Sequence, residues 1–537
     1  MRHPSTLHSF TWKRASRQLG LMGLCVALAC PPASNVWAQS VDTRPGGLPN
    51  LGDGAEITLG AERRLGDSIA REIYRDPDYV DDPVLGDYLQ TIWQRLLASA
   101  HQRGELSDEM QQQYAWRIAL IRERSINAFA LPGGYLGVHL GLVAAVSSAD
   151  EIASVLGHEL SHVTQRHIAR MMEKEGRQAP VIMAAMILGM LAASRTPSVN
   201  GMNAANAMMV GGPAAMMQSQ LNFSRDMERE ADRVGYGVMI GAGYEPQGFV
   251  TMFEKLQTAS RLNDSGNFPY LHSHPMTTER IADAQARQQL LPPRAPLALT
   301  PLHAMMAARA QVLTSPGVDV LRTLAAQAQA VNVRPMPMPQ QAGVLYAGVL
   351  AEIRLGDWVQ ARQNLQHLQG LQGQDVAAQR VVRLLAAELA LAEGEPRQAV
   401  SLLEGTSSVV KANDRATQLL LAQSQVATQQ PAALRQATQA LAMWVNQSPG
   451  DALAWQLLAS GYEAQGDMLR AIRAQAEARA AALDFPAAVD RLKAAQDLER
   501  QMTREGRLDR AGQLEASIID ARLRELENRR REQALER

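Results

Sequence analysis

His158-Glu159-Leu160-Ser161-His162 is the segment of this chain whose residue types and spacing most directly suggest chemistry. On a helix, positions four apart lie on one face, one turn from each other. Two imidazole nitrogens so placed can share one tetrahedral ion. Glu159 lies to the side of that face, where its carboxylate can take a proton from an attacking water. The bland alternative is a helix carrying two solvated histidines. A zinc site of this class needs a third protein ligand. Glu228-Arg229-Glu230-Ala231-Asp232, 66 residues past His162, supplies the best candidate in Glu228. Asp232, four residues on and on the same face, could accept a hydrogen bond from a ligand histidine and fix its tautomer. Glu230 points elsewhere on the wheel and reads as a surface charge. Alone, this segment would read as an acidic helix face; paired with the two histidines it reads as the second half of a metal site. His167, five residues past His162, falls off the ligand face and reads as structural.

The surrounding pattern predicts elements that hold these residues. Ser148-Ala149-Asp150-Glu151 reads as a capping box opening a helix that runs to about Lys174. A second helix begins near Ser224 and continues through Val234, Tyr236 and Met239. Helical periodicity also marks Ala55 to Arg75 and Val84 to Ala98. Tyr114 to Arg122 alternates like a strand, and Asn127–Leu131 and Tyr135–Val143 flank Pro132-Gly133-Gly134 as a hairpin. A few helices and a small sheet make an α+β unit to about residue 295, followed by a Pro-rich linker around 291–301.

From Pro301 onward the pattern is helical and repeats. Ala361, Ala399, Ala437 and Ala471 recur at spacings of 38, 38 and 34 residues, three of them preceded by Gly356, Gly394 and Gly466. Trp455, Leu458, Ala459, Tyr462, Gly466, Ala471 and Ala478 resemble the offsets of a tetratricopeptide repeat. Small residues let paired helices approach, and large ones fill the gaps between pairs. An irregular helical bundle is the bland alternative. Residues 491–537 are charged and read as a capping helix with a frayed end.

The whole chain is 537 residues with 53 basic and 54 acidic side chains, 4% aromatic and 46% hydrophobic. That length calls for more than one domain. The neutral balance argues against a nucleic-acid binder. Arg2, Lys13, Arg14 and Arg17 precede an apolar run, Leu19 to Ala29, and small residues ending at Ala38. The run is too short to span a bilayer. The layout is that of a secretory signal peptide with cleavage after Ala38. A lipoprotein signal acylated at Cys30 is the alternative. Cleavage leaves 49 basic against 54 acidic residues and removes both cysteines, Cys25 and Cys30. A thiol-free mature chain suits an oxidising compartment. Ten methionines fall between Met171 and Met217. That stretch, with apolar Val181 to Ala193, reads as a lid over the metal site, as a peripheral membrane contact, or as ordinary core.

These motifs together resemble the HtpX and CAAX-prenyl-protease type of gluzincin metallopeptidase. Gly157 before His158–His162, Glu228-x-x-Ala231-Asp232, and Ser125 through Gly134 match that family's segments. His272-Ser273-His274-Pro275 resembles its later histidine motif. The resemblance implies an endopeptidase holding one zinc ion per chain through His158, His162 and Glu228, with Glu159 as general base. It implies that the strand at Asn127–Leu131 binds substrate backbone, with Gly133-Gly134 allowing close approach. His274 becomes either an additional ligand that closes the site or a donor to the transition state. Arg280 could hold an oxyanion or form a surface salt bridge. With its signal and its repeats, the chain is most similar to periplasmic members that act in outer-membrane protein quality control. Unfolded or stalled outer-membrane proteins are then the expected substrates, and the repeats are expected to meet the assembly machinery. The expected architecture is mainly α: signal 1–38, an α+β gluzincin-type metalloprotease domain 39–295, and an all-α repeat superhelix with a capping helix over 296–537. A non-proteolytic scaffold or chaperone with a structural or latent zinc site is the alternative.

Overall fold

The computed structural model describes residues 57–175, 225–262, 270, 274, 277–289, 299–315, 317–331, 336–371, 373, 375–404 and 414–535. The signal, the Gly/Pro-rich residues 42–53, residues 176–224 of the methionine-rich stretch, His272 and residues 291–298 of the linker lie outside the described residues. The described residues form one compact unit. The described part is mainly helical with one small sheet.

Helix α1, Leu59–Arg75, is capped by Thr58. Helix α2, Pro83–Gln102, is capped by Asp82 and buries Leu85, Leu89, Ile92, Trp93 and Leu96 along one face. The short α3, Asp108–Gln113, leads into the main part of the sheet, whose first strand lies between α1 and α2. Strands β1, Tyr79–Val80, β2, Arg117–Ile121, β3, Ala128–Leu131, and β4, Tyr135–His139, lie in the order β1-β2-β4-β3. β4 runs parallel to β2 and antiparallel to β3, so β3 is an edge. The expected hairpin is present, but its second strand stops at His139, where α4, Leu140–Ala145, begins. Gly133 and Gly134 have φ of 70° and 81°. A Cβ on Gly133 would meet the Arg63 backbone at 2.6 Å, and one on Gly134 would meet Tyr114 at 2.8 Å. Their glycine character serves the close approach of the chain's own α1 and of the residues that follow α3.

Helix α5 is Ala149–Thr164, with Ser148 Oγ accepting from the Glu151 N–H as the capping pattern predicts. The helix does not run on to Lys174. It breaks at Gln165 and Arg166, and α6, His167–Glu175, sets off in a new direction. Helices α7, Arg225–Gly241, and α8, Gln247–Leu262, pack on α5, and α9, Thr278–Gln289, packs on α8 and α7.

The remaining helices pack mainly on helices near them in sequence. α10, Pro301–Thr314, packs on α4, and its His303 receives or gives a hydrogen bond at Tyr88 Oη (2.8 Å) and meets the Val146 carbonyl (2.9 Å). α11, Val318–Gln329, and α12, Met338–Leu355, follow. Then come α13, Trp358–Leu371, α14, Val376–Ala392, α15, Pro396–Glu404, and α16, Arg415–Ala427. The series closes with α17, Pro431–Gln447, α18, Ala452–Ala464, and α19, Met468–Ala481. Ala361, Ala399, Ala437 and Ala471 are each fully buried. Gly356, Gly394 and Gly466 sit at φ of 75°, 81° and 77°, ending α12, α14 and α18. That left-handed conformation is why glycine recurs there. The tail is not frayed over 510–535: α20, Phe485–Arg504, and α21, Arg510–Leu535, bury Ile519, Leu523 and Leu526. Among the described residues no helix is long and apolar enough to cross a membrane.

The later helices touch the first part of the chain through ion pairs. Arg415 bridges Asp81 (2.8 Å) and Asp451 (2.7 Å). Arg380 joins Asp87 (2.6 Å) to Asp414. Buried Arg309 spans Asp82 (2.8 Å) and Glu388 (2.7 Å). A cleft of about 1750 Å³ lies between these parts, walled by Trp116, Trp444, Tyr79 and Arg383; it does not include the histidines.

Candidate metal centre

Helices α5 and α7 cross where two glycines face each other. A Cβ on Gly235 would stand 2.9 Å from the Gly157 carbonyl and 3.0 Å from His158 Cα. This close approach lets Glu228 and Asp232 of α7 reach the histidine face of α5. His158, His162, Glu228 and His274 are all buried, and one ligand atom from each lies within 4.8 Å of the others. His158 Nε2 is 3.0 Å from His162 Nε2 and 3.4 Å from His274 Nδ1. Glu228 oxygens lie 3.5 Å from His158 Nε2, 3.4 Å from His162 Nε2 and 3.0 Å from His274 Nδ1. Two nitrogens on one tetrahedral zinc stand about 3.3 Å apart. The donor set and its spacing fit that ion.

Around this set sit groups that orient it. Asp232 Oδ1 is 3.0 Å from His158 Nδ1. Arg280 is buried, not at the surface: it clasps Asp232 through Nε (2.7 Å) and Nη2 (2.8 Å), and its Nη1 lies 2.8 Å from Glu228 Oε2. Burial would raise the Asp232 carboxyl, yet hydrogen bonds from Arg280 and His158 hold it below its ordinary value. The ion-pairing role of Arg280 is thus the one observed, though turned inward. Burial and the neighbouring His158 hold the His162 imidazole well below its usual value, which favours the neutral ring a metal needs.

Glu159 is fully buried beside the cluster. Its Oε2 accepts from the Ala130 N–H at 2.9 Å; its Oε1 makes no hydrogen bond and stands 3.4 Å from His274 Nε2. Burial pushes this carboxyl upward, against the lowering influence of His274 and His158. Tyr270 stacks on His274, with ring centroids 4.6 Å apart. Tyr270 lies four residues before His274, whose N–H bonds to the Tyr270 carbonyl (2.9 Å), so the stacking is a local contact. The Ala130 bond joins residues distant in the chain, and no local pattern marks it. His167, read as structural, is fully buried with Nδ1 2.9 Å from His162 Nδ1. Glu230, read as a surface charge, is partly buried and meets His167 and Arg170.

The fold and the site define a class, and sequence comparison gives the same one. Residues 86–288 match the model of peptidase family M48, and this stretch is a zinc metallopeptidase domain. The chain as a whole is similar to β-barrel assembly-enhancing proteases. It is 27% identical over 505 residues to the beta-barrel assembly-enhancing protease of Escherichia coli, covering 94% of this chain and 95% of that one. It is 35% identical over 306 residues to a Vibrio cholerae protein provisionally given the same name, covering 56% of this chain and 57% of that one. A mitochondrial metalloendopeptidase, OMA1 of Arabidopsis thaliana, matches at 32% identity over 180 residues, 33% of each chain.

Proposed function

We propose that this chain is a periplasmic zinc endopeptidase acting in quality control and assembly of outer-membrane proteins. The observation that carries the reading is the convergence of His158, His162 and Glu228 on one buried point, with Glu159 beside it. His158, His162 and Glu228 would hold the metal. Bound zinc supplies a Lewis acid for the scissile carbonyl and makes water a competent nucleophile. Glu159 takes the proton from the attacking water and passes it to the leaving amine. Its Oε2 is tied to Ala130, which leaves Oε1 for proton transfer. Asp232 Oδ1, 3.0 Å from His158 Nδ1, is placed to take its proton and so keep the Nε2 lone pair for a metal. Strand β3 is an edge, so an extended substrate adds to its outer side at the backbone groups that the Glu159–Ala130 bond leaves open.

His274 bears on whether the site rests open. Its Nδ1 completes a four-atom set, and four protein ligands leave no position for substrate or water. This favours a latent arrangement from which His274 withdraws, over a fixed transition-state donor. The helix pairs from residue 301 onward are read as degenerate tetratricopeptide repeats that bind clients or assembly machinery. The relatives' name supports the outer-membrane substrate class, and the N-terminal 38 residues support export. A Cys30-acylated form would be shown by intact mass of the mature protein; an N-terminus at Gln39 removes it.

The second reading is a scaffold or chaperone in which zinc is structural or latent. The four-ligand set and the 1750 Å³ cleft beside the helix pairs favour it. Rescue of envelope function separates the two. Cleavage is the function if Glu159→Gln fails to rescue; binding outranks it if Glu159→Gln rescues and a repeat-deleted chain does not.

A further inference from the structure

The break between α5 and α6 brings a third histidine onto the back of a candidate metal ligand. In an unbroken helix, a residue five positions on lies about 140° around the axis. Here the N–H of Gln165 bonds to the Ser161 carbonyl (2.9 Å) and that of Arg166 to Val163 (3.0 Å), and the helix ends. Arg166 adopts the left-handed conformation, φ 54°. That conformation costs a non-glycine residue about 1–2 kcal/mol. Its guanidinium is pinned by Glu62 at 2.8 Å and by the Ile57 carbonyl. The turn swings His167 back, so that its Nδ1 lies 2.9 Å from His162 Nδ1.

The hydrogen-bond chemistry of this contact has one consistent direction. His162 Nε2 faces the other ligand atoms, so that nitrogen carries the lone pair and Nδ1 carries the proton. His167 Nδ1 then accepts from His162, and His167 Nε2–H donates to Glu230 Oε2 at 3.1 Å. Glu230 also accepts from Arg170 at 2.8 Å, at the protein surface. Glu228 and Glu230 both belong to α7, so one helix provides a candidate ligand and the carboxylate that ends this chain of bonds.

We propose that His167 is a positioning residue of the metal site, holding His162 in its ligating tautomer through the chain His162–His167–Glu230. The proposal rests on the zinc reading above. Partners of this kind are worth 10–100-fold in metal affinity or activity.

The test is zinc affinity by chelator competition on the full mature chain, with thermal melting of the metal-free protein alongside. His167→Phe keeps a ring in the space and removes the acceptor; zinc should bind about 10–100-fold more weakly. His167→Gln can both accept from His162 and donate to Glu230, and should restore most of that affinity. Glu230→Leu, at a partly exposed position, should weaken binding while leaving melting unchanged; it carries the test if His167→Phe does not fold. A folded His167→Phe or Glu230→Leu protein that holds zinc as tightly as wild type overturns the proposal. So does a His167→Gln protein as weak as His167→Phe. If wild type holds no zinc, the metal reading itself fails; if wild type binds and the variants match it, only this inference fails.

Discussion

The carboxylate of Glu159 is hydrogen-bonded to the backbone N–H of Ala130 at 2.9 Å, which ties the helix bearing the histidines to the edge strand of the sheet. The bond leaves on the outer side of β3, away from its partner β4. Removing it therefore spares the ladder. A hydrogen bond to a charged group is worth about 1.5–3 kcal/mol. Ala130→Pro should lower kcat about 10- to 100-fold while zinc content stays at the wild-type level. Peptidase assays with metal analysis check this; unchanged kcat would detach Glu159 from the strand.

The crossing of α5 and α7 at Gly157 and Gly235 makes a second prediction. Any side chain at Gly235 must push against the Gly157 carbonyl and the His158 backbone, neither of which can rotate away. Gly235→Val should separate the helices, destabilise the fold by about 1–3 kcal/mol, and strip the zinc. Melting and metal content of the purified variant read both effects; full zinc occupancy would show that the helices tolerate the wider spacing.

A third prediction concerns pH and lies far from the metal. Glu352 is fully buried, its Oε2 has no hydrogen bond, and its Oε1 accepts from Asn364 at 2.7 Å. Burial, with the nearby charge of Asp357 adding to it and the Asn364 bond opposing, raises its pKa from 4.5 to about 7. The folded state thus holds a proton that the unfolded chain releases earlier. The linked stability is fully present below pH 4.5 and is lost as pH rises through 7. It amounts to something on the order of 3 kcal/mol. Glu352→Gln keeps the Asn364 bond without the ionisation. Its melting temperature should match wild type at pH 5 and exceed it by a few °C at pH 8. Equal melting at both values would mean the carboxyl ionises in the fold without penalty.

Much of the site was legible because its residues obey helical spacing. His158 and His162 share a face, Glu228 and Asp232 share another, and Ser148 announces the helix. The break at Arg166 was not legible: a left-handed turn at an arginine carries no glycine to mark it, and so His167 looked misplaced. The inward direction of Arg280 follows from the packing of α9, which no local pattern encodes. The repeating alanines and glycines were readable because each has a steric cause, burial between helices or a left-handed cap. The C-terminal helix was underread because its few apolar residues, Ile519, Leu523 and Leu526, are spaced for one narrow stripe amid charge.

The central claim is tested most directly by measuring zinc content and cleavage of an unfolded β-barrel protein, wild type beside Glu159→Gln. Gln at this position can still accept from Ala130, so the fold and the metal should be retained. The account predicts one zinc per chain in both proteins and cleavage by wild type only, with the variant down by about 10²–10⁴-fold. A Glu159→Gln protein that cleaves as well as wild type would contradict it.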